Sequence, residues 1–276
     1  MTDPWRYLDR RELLRRSALM IPALHGGLVA GSAWAETTPA ANPQPAPRAR
    51  HPVEFLELEL HCHRLEEQRI FYRDALGLET RLEGADLVVQ AGSTRLRFVS
   101  AESGSQPMYH FAFMIPENKL DRAVDWMRGR APLLQRRDGS VVFHFKRWNA
   151  HSIYFFDPAG NIAEFIAHHA LPTAADGDFS PRDILFACEI GLVAPDLDRL
   201  VGDLDSRLGL QPFFNTSDVF APVGDRHGLF ICVKEHRLWL ATDLKAEIYP
   251  VTATVRSTAD DLVELAELPF RVRTRA

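Results

Sequence analysis

The sequence predicts an α+β fold assembled from tandem βαβββ modules. Three observations carry that prediction. Apolar and polar residues alternate from Phe55 to Cys62, the period-two signature of a strand with one packed and one polar face. The helical stretch that follows ends in Leu76-Gly77-Leu78, and the same ending recurs at Leu208-Gly209-Leu210. The interval from Glu57 to Leu76 equals that from Glu189 to Leu208, so the chain repeats at the scale of a supersecondary unit.

The first module reads as a strand over 55–62, a helix over 65–76 stopped by Gly77, and strands over 79–82, 86–90 and 94–100. In the second, a strand over 109–115 precedes an amphipathic helix over 119–128 carrying Leu120, Val124 and Met127. Strands over 141–145, 152–156 and 161–167 follow, the last two joined by the turn Asp157-Pro158-Ala159-Gly160. The third starts at Ile184, has a helix over 196–208, and continues with strands over 219–223, 229–234 and 237–241. A fourth begins with a strand over 248–255 and a helix capped by Ser257, and is truncated soon after Phe270.

One unit cannot bury its sheet alone. Two side by side make a rolled sheet with helices outside and a cup inside. The expected organisation is a domain over 53–170 from modules one and two, holding the site, then a linker over 171–183. A second, non-catalytic domain over 184–276 is expected from module three and the truncated fourth.

The N-terminus has the parts of an export signal. Arg10-Arg11 precede an apolar run from Ala18 that closes on Ala33-Trp34-Ala35. Adjacent arginines followed by Leu13-Leu14 resemble the twin-arginine type. The run contains Pro22, His25, Gly26 and Gly27, too interrupted for a stable span. The expectation is a signal over 1–35, use of the twin-arginine export machinery, and a periplasmic mature chain with no membrane attachment. A Pro/Ala-rich tether over 36–52 follows.

Composition narrows the function. The chain is 46% hydrophobic and 25% charged with a net charge of −5, ordinary for a globular protein and unfavourable for nucleic acid as a partner. Its three cysteines form no C-x-x-C pair, so no zinc knuckle or redox motif is suggested. No glycine-rich cofactor motif or nucleophile triad is present. A small-molecule substrate is the expected partner, and a homodimer stays open.

Two segments carry a resemblance: His110-Phe111-Ala112-Phe113, and Ser152 through Phe165 with Asp157-Pro158-Ala159-Gly160-Asn161 at its centre. Phe71-Tyr72-Arg73-Asp74-Ala75-Leu76-Gly77 adds to it. These resemble the vicinal oxygen chelate superfamily of glyoxalases, extradiol ring-cleaving dioxygenases, and fosfomycin and bleomycin resistance proteins. The resemblance implies metal ligation by His110 and Glu164. It places Glu57 where a first-module histidine usually stands; Glu59 and His61 share that strand face, so Glu57 or His61 is the expected third ligand. The optional fourth ligand position holds Arg97, which cannot ligate; with Arg95 it is a candidate for binding an anionic substrate. Tyr154 resembles the active-site tyrosine of ring-cleaving dioxygenases, and His151 is a candidate acid or base.

An imidazole with carboxylates suits one divalent ion, Fe(II) or Mn(II) first, with Zn(II) or Ni(II) as further candidates. The implied function is a metal-dependent enzyme, dioxygenase-like or glyoxalase-like, acting on a small substrate with two adjacent oxygens. The alternative is a metal-free protein that binds or sequesters a small molecule.

Overall fold

A computed structural model describes residues 52–214 and 216–276. The expected signal over 1–35 and nearly all of the tether lie outside the described residues. Among the described residues, no helix is long and apolar enough to cross a membrane.

Module one comprises β1 (Phe55–Cys62), α1 (Leu65–Ile70), β2 (Glu79–Glu83), β3 (Asp86–Ala91) and β4 (Thr94–Ser100); α1 runs on through a π-helical turn, Phe71–Ala75. Module two comprises β5 (His110–Met114), α2 (Leu120–Met127), β6 (Phe143–Phe145), β7 (Ala150–Phe156) and β8 (Ile162–His168). Module three has β9 (Phe186–Ala194), α3 (Leu197–Leu208), β10 (Phe220–Asp225) and β11 (Gly228–Lys234). Module four has β12 (Val251–Arg256), β13 (Asp261–Leu265) and β14 (Phe270–Arg275).

Local signals explain most boundaries. Asp196 caps α3 by accepting a hydrogen bond from the Arg199 amide at 3.0 Å. Gly209 ends that helix in the left-handed conformation at φ 67°, and Gly77 takes φ 65° after the first. The turn after β7 is locked by buried Asp157. Its carboxylate accepts from the Ala159 and Asn161 amides and from Gln68 Nε2 and the Tyr72 hydroxyl of module one. The turn motif and the Phe71-Tyr72 motif are thus two sides of one contact.

Two sequence expectations fail locally. No helix follows Ser257; β13 and β14 form a hairpin there. Val263 and Leu265, then Phe270 and Val272, are buried at alternate positions, and that strand period overrides the helical reading. Likewise 237–241 is no strand: it belongs to a loop tied by an isolated bridge between Leu238 and Lys245.

The α+β class and the βαβββ modules appear as two curled seven-stranded sheets, but the modules pair in nested order. The first sheet runs β13-β14-β12-β1-β4-β3-β2 and the second β10-β11-β9-β5-β8-β7-β6. Module one therefore pairs with module four through an antiparallel β1–β12 ladder, and module two with module three through β5–β9. This corrects the expected sharing of one cup by modules one and two. The main core lies between the sheets and helices, with Leu58, Leu60 and Phe98 from the first sheet and Phe111, Phe113 and Ile190 from the second. By strand alternation, the polar face of β1 points away from the second sheet.

Candidate metal centre

The centre is built on three strands of the second sheet, each contributing one residue from a largely apolar run. On β5, Phe111 and Phe113 enter the core and His110 takes the inner face. Glu164 lies on β8, which pairs in parallel with β5. Glu189 lies on β9, on the other side of β5. A bulge aims it: Ala112 pairs with Glu189 and Phe113 with Ala187, leaving Cys188 as the extra residue. Bulges of this kind re-aim side chains beside functional sites. Here the freed Ala187 amide donates to Thr94 Oγ1 at 3.0 Å, and Thr94 donates to the Phe55 carbonyl, so module one buttresses the bulge.

His110 Nε2 lies 3.6 Å from Glu164 Oε2 and 3.6 Å from Glu189 Oε2. The donor atoms of the three residues all fall within 4.8 Å of one another, which no other trio of such side chains achieves among the described residues. All three side chains are buried. His110 Nδ1 is 3.0 Å from the Ile162 carbonyl. Donation there leaves the Nε2 lone pair facing the carboxylates, the arrangement that orients a ligating histidine.

The electrostatics of the group suit a cation. Burial lowers the His110 pKa despite Glu164, favouring the neutral, ligating imidazole. Burial, then Glu189, pushes Glu164 up to about 8, and burial pushes Glu189 up to about 8. Glu164 Oε1 and Glu189 Oε1 are buried without a hydrogen-bond partner. Two buried carboxylates facing a neutral imidazole are costly unless protonated or neutralised. A divalent ion fits this donor set.

Aromatic side chains surround the group. Tyr154 stands directly opposite Glu164 in the β7–β8 ladder, its ring 6.1 Å from His110. Burial, then the two glutamates, raises its pKa well above the ordinary value, so it is a neutral phenol. Trp239, on the loop between β11 and β12, packs 5.3 Å from His110. Gly191 makes room for it: a Cβ there would lie 2.8 Å from the indole Cη2. The Trp239 Nε1 is buried without a partner. A recess lined in part by Met108, Tyr109, Gly191, Trp239 and Tyr249 borders His110.

The structure thus brings together His110, Glu164 and Tyr154, and supplies Glu189 where Glu57 or His61 was expected. Glu57 and His61 lie on β1 in the other sheet. Register shows why the spacing misleads. Glu164 pairs with Ala112, two residues after His110; Arg97 pairs with Glu59, two residues after Glu57. Glu57 and Arg97 thus hold the equivalent corners of the first cup, where an ion pair at 3.5 Å replaces ligation. Arg97 also pairs with Asp86 at 3.0 Å, and Arg95 with Glu57 at 3.2 Å and Glu83 at 3.0 Å. Both arginines are engaged in that sheet and neither faces the centre. By the same register the fourth corner of the second cup falls to Ile231, opposite Gly191, so the centre has three donors. His151 is three positions from Tyr154 and takes the opposite strand face, against His144 and His169.

No protein-family model matches the chain, and no curated protein sequence matches it. Solved structures do. A putative dioxygenase from Bacillus subtilis subsp. subtilis str. 168 superposes with a TM-score of 0.53 at 13% identity, covering 82% of this chain and 86% of that one. Glyoxalase I from Zea mays gives a TM-score of 0.47 at 12% identity, covering 80% and 92%. Lactoylglutathione lyase from Agrobacterium tumefaciens gives 0.33 at 22%, covering 44% and 94%. The two curled sheets of repeated modules have the vicinal oxygen chelate fold, and one inner face carries a His–Glu–Glu group able to hold a metal.

Proposed function

We propose that this protein is a divalent-metal-dependent enzyme acting on a small substrate with two adjacent oxygens, by dioxygenase-like or glyoxalase-like chemistry. The observation that carries the reading is the convergence of His110, Glu164 and Glu189 within 4.8 Å on a buried, otherwise apolar floor. One imidazole and two carboxylates make a hard, oxygen-rich set that suits Mn(II) and Fe(II) ahead of softer ions. When bound, such an ion supplies Lewis acidity and a template for two oxygens.

The chain's own residues divide the remaining work. The Ile162 carbonyl fixes the His110 ring. Tyr154, protonated beside Glu164, can donate a hydrogen bond to a substrate oxygen. Trp239 and Tyr154 exclude water from two sides of His110. The Arg10-Arg11 signal supports action in the periplasm after export of a folded, loaded chain.

The test is turnover. Metal-depleted protein reloaded with Fe(II) or Mn(II) is assayed for oxygen uptake with catechols and for isomerisation of hemithioacetals. Activity in one assay, lost in Glu189→Gln, is expected. Metal binding with neither activity across both substrate panels would contradict the enzymatic reading.

A further inference from the structure

A second cluster lies on the opposite face of the same sheet. His144 on β6 stands directly opposite His151 on β7. Their rings are parallel within 4°, with centroids 4.1 Å apart. On the other side of His151, His169 follows the end of β8, and its Nε2 is 2.7 Å from His151 Nδ1. Three imidazoles therefore form a row across three neighbouring strands. The row lies at the sheet edge, since β6 is the outermost strand. His144 is exposed, and the other two are half-buried.

Nothing in the centre described above uses these residues, and packing does not explain them. Apolar or β-branched side chains would fill cross-strand positions at least as well. A row of imidazoles instead incurs mutual repulsion whenever two are protonated. Asp121, on α2, is the carboxylate whose field reaches His151, and burial, His144 and His169 outweigh it in disfavouring the charged ring. The neutral His151 ring is thus favoured, the form in which an imidazole ligates. Directly opposed cross-strand residues also have the spacing at which two imidazoles can share one ion.

We propose that His144, His151 and His169 form a second, surface metal site selective for nitrogen-preferring ions, Cu(II) foremost, then Ni(II) or Zn(II). The His151–His169 hydrogen bond marks the position of the ion. On binding, the proton between the rings leaves that position and each neutral imidazole keeps one proton on its outer nitrogen, so two lone pairs face the metal. His144 completes the site by turning about its Cα–Cβ bond. The site is independent of the buried centre in both ligand chemistry and location.

Metal-depleted full-length protein is titrated with Cu(II) against a weak competing chelator, with electron paramagnetic resonance recorded at each step. The wild type should show a class of Cu(II) with hyperfine splitting from several nitrogens. His151→Asn and His169→Gln should each weaken that class by more than the roughly 100-fold that is the upper cost of losing an outer-shell partner. Glu164→Ala should leave it unchanged. Independently of any variant, Cu(II) should protect these three histidines of the wild type from acylation by diethylpyrocarbonate, read by mass spectrometry. The proposal is overturned if the histidine variants titrate as wild type, if Glu164→Ala abolishes the nitrogen-rich signal, or if Cu(II) leaves the three histidines unprotected.

Discussion

Glu189 Oε2 lies 3.6 Å from His110 Nε2, although the two residues belong to different modules. The contact follows from the β5–β9 ladder, which sets Glu189 opposite Ala112, and from the bulge at Cys188. It makes module three a contributor to the centre. Glu189→Gln should therefore lower Mn(II) affinity sharply, as Glu164→Ala should, because Gln offers only a neutral amide oxygen in place of a charged carboxylate and Ala offers no donor. Glu57→Gln should leave affinity unchanged. Isothermal titration of the three metal-depleted variants checks this, and a loss in Glu57→Gln equal to that in Glu189→Gln would contradict the assignment.

The two glutamates also predict a pH dependence of stability. In the metal-free protein each holds its proton up to about 8, against an ordinary value of 4.5. The folded state thus binds more protons than the unfolded state between those limits, and stability falls as pH rises through them. The contribution is complete below 4.5 and gone above about 8. Melting temperatures of metal-depleted protein should fall across this window, with a shallower slope in Glu189→Gln. Saturating Mn(II) should reverse the trend, since the ion takes ionised carboxylates. Identical slopes with and without metal would contradict this electrostatic account.

Gly191 predicts a packing effect. An added Cβ would sit 2.8 Å from the Trp239 ring. Gly191→Ala should destabilise by about 1–3 kcal/mol, the usual range for overpacking. Adding Trp239→Leu should recover part of that loss, because the offending ring atoms are gone. Denaturant unfolding of the single and double variants measures the coupling, and strict additivity would show that the contact is not limiting.

Export is a separate prediction. Arg10→Lys with Arg11→Lys should leave the precursor in the cytoplasm with its signal attached, detected by fractionation and intact mass. Unaltered export would exclude the twin-arginine route.

Much of this architecture is legible in the sequence because it is local. The alternation in Phe55–Cys62, the cap at Asp196 and the stop at Gly209 each act within a few residues. Ligand chemistry is partly legible too: His110, Glu164 and Glu189 stand among apolar neighbours, whereas Glu57, Glu59 and His61 alternate as a wetter face does. Module pairing is not legible, because nothing in β5 announces whether its neighbour is β1 or β9. The bulge is equally hidden, since it depends on Thr94 receiving the Ala187 amide from across the core. Parity alone separates His151 from Tyr154, and the spacing of three positions was there to be read.

The central claim is that the buried trio holds one divalent ion. Elemental analysis of protein purified after growth with iron and manganese supplied tests it most directly, with wild type and Glu164→Ala measured side by side. The account predicts close to one iron or manganese per wild-type chain and a sharp loss in a folded Glu164→Ala variant. Negligible iron and manganese in both would contradict it and leave a metal-free binding protein.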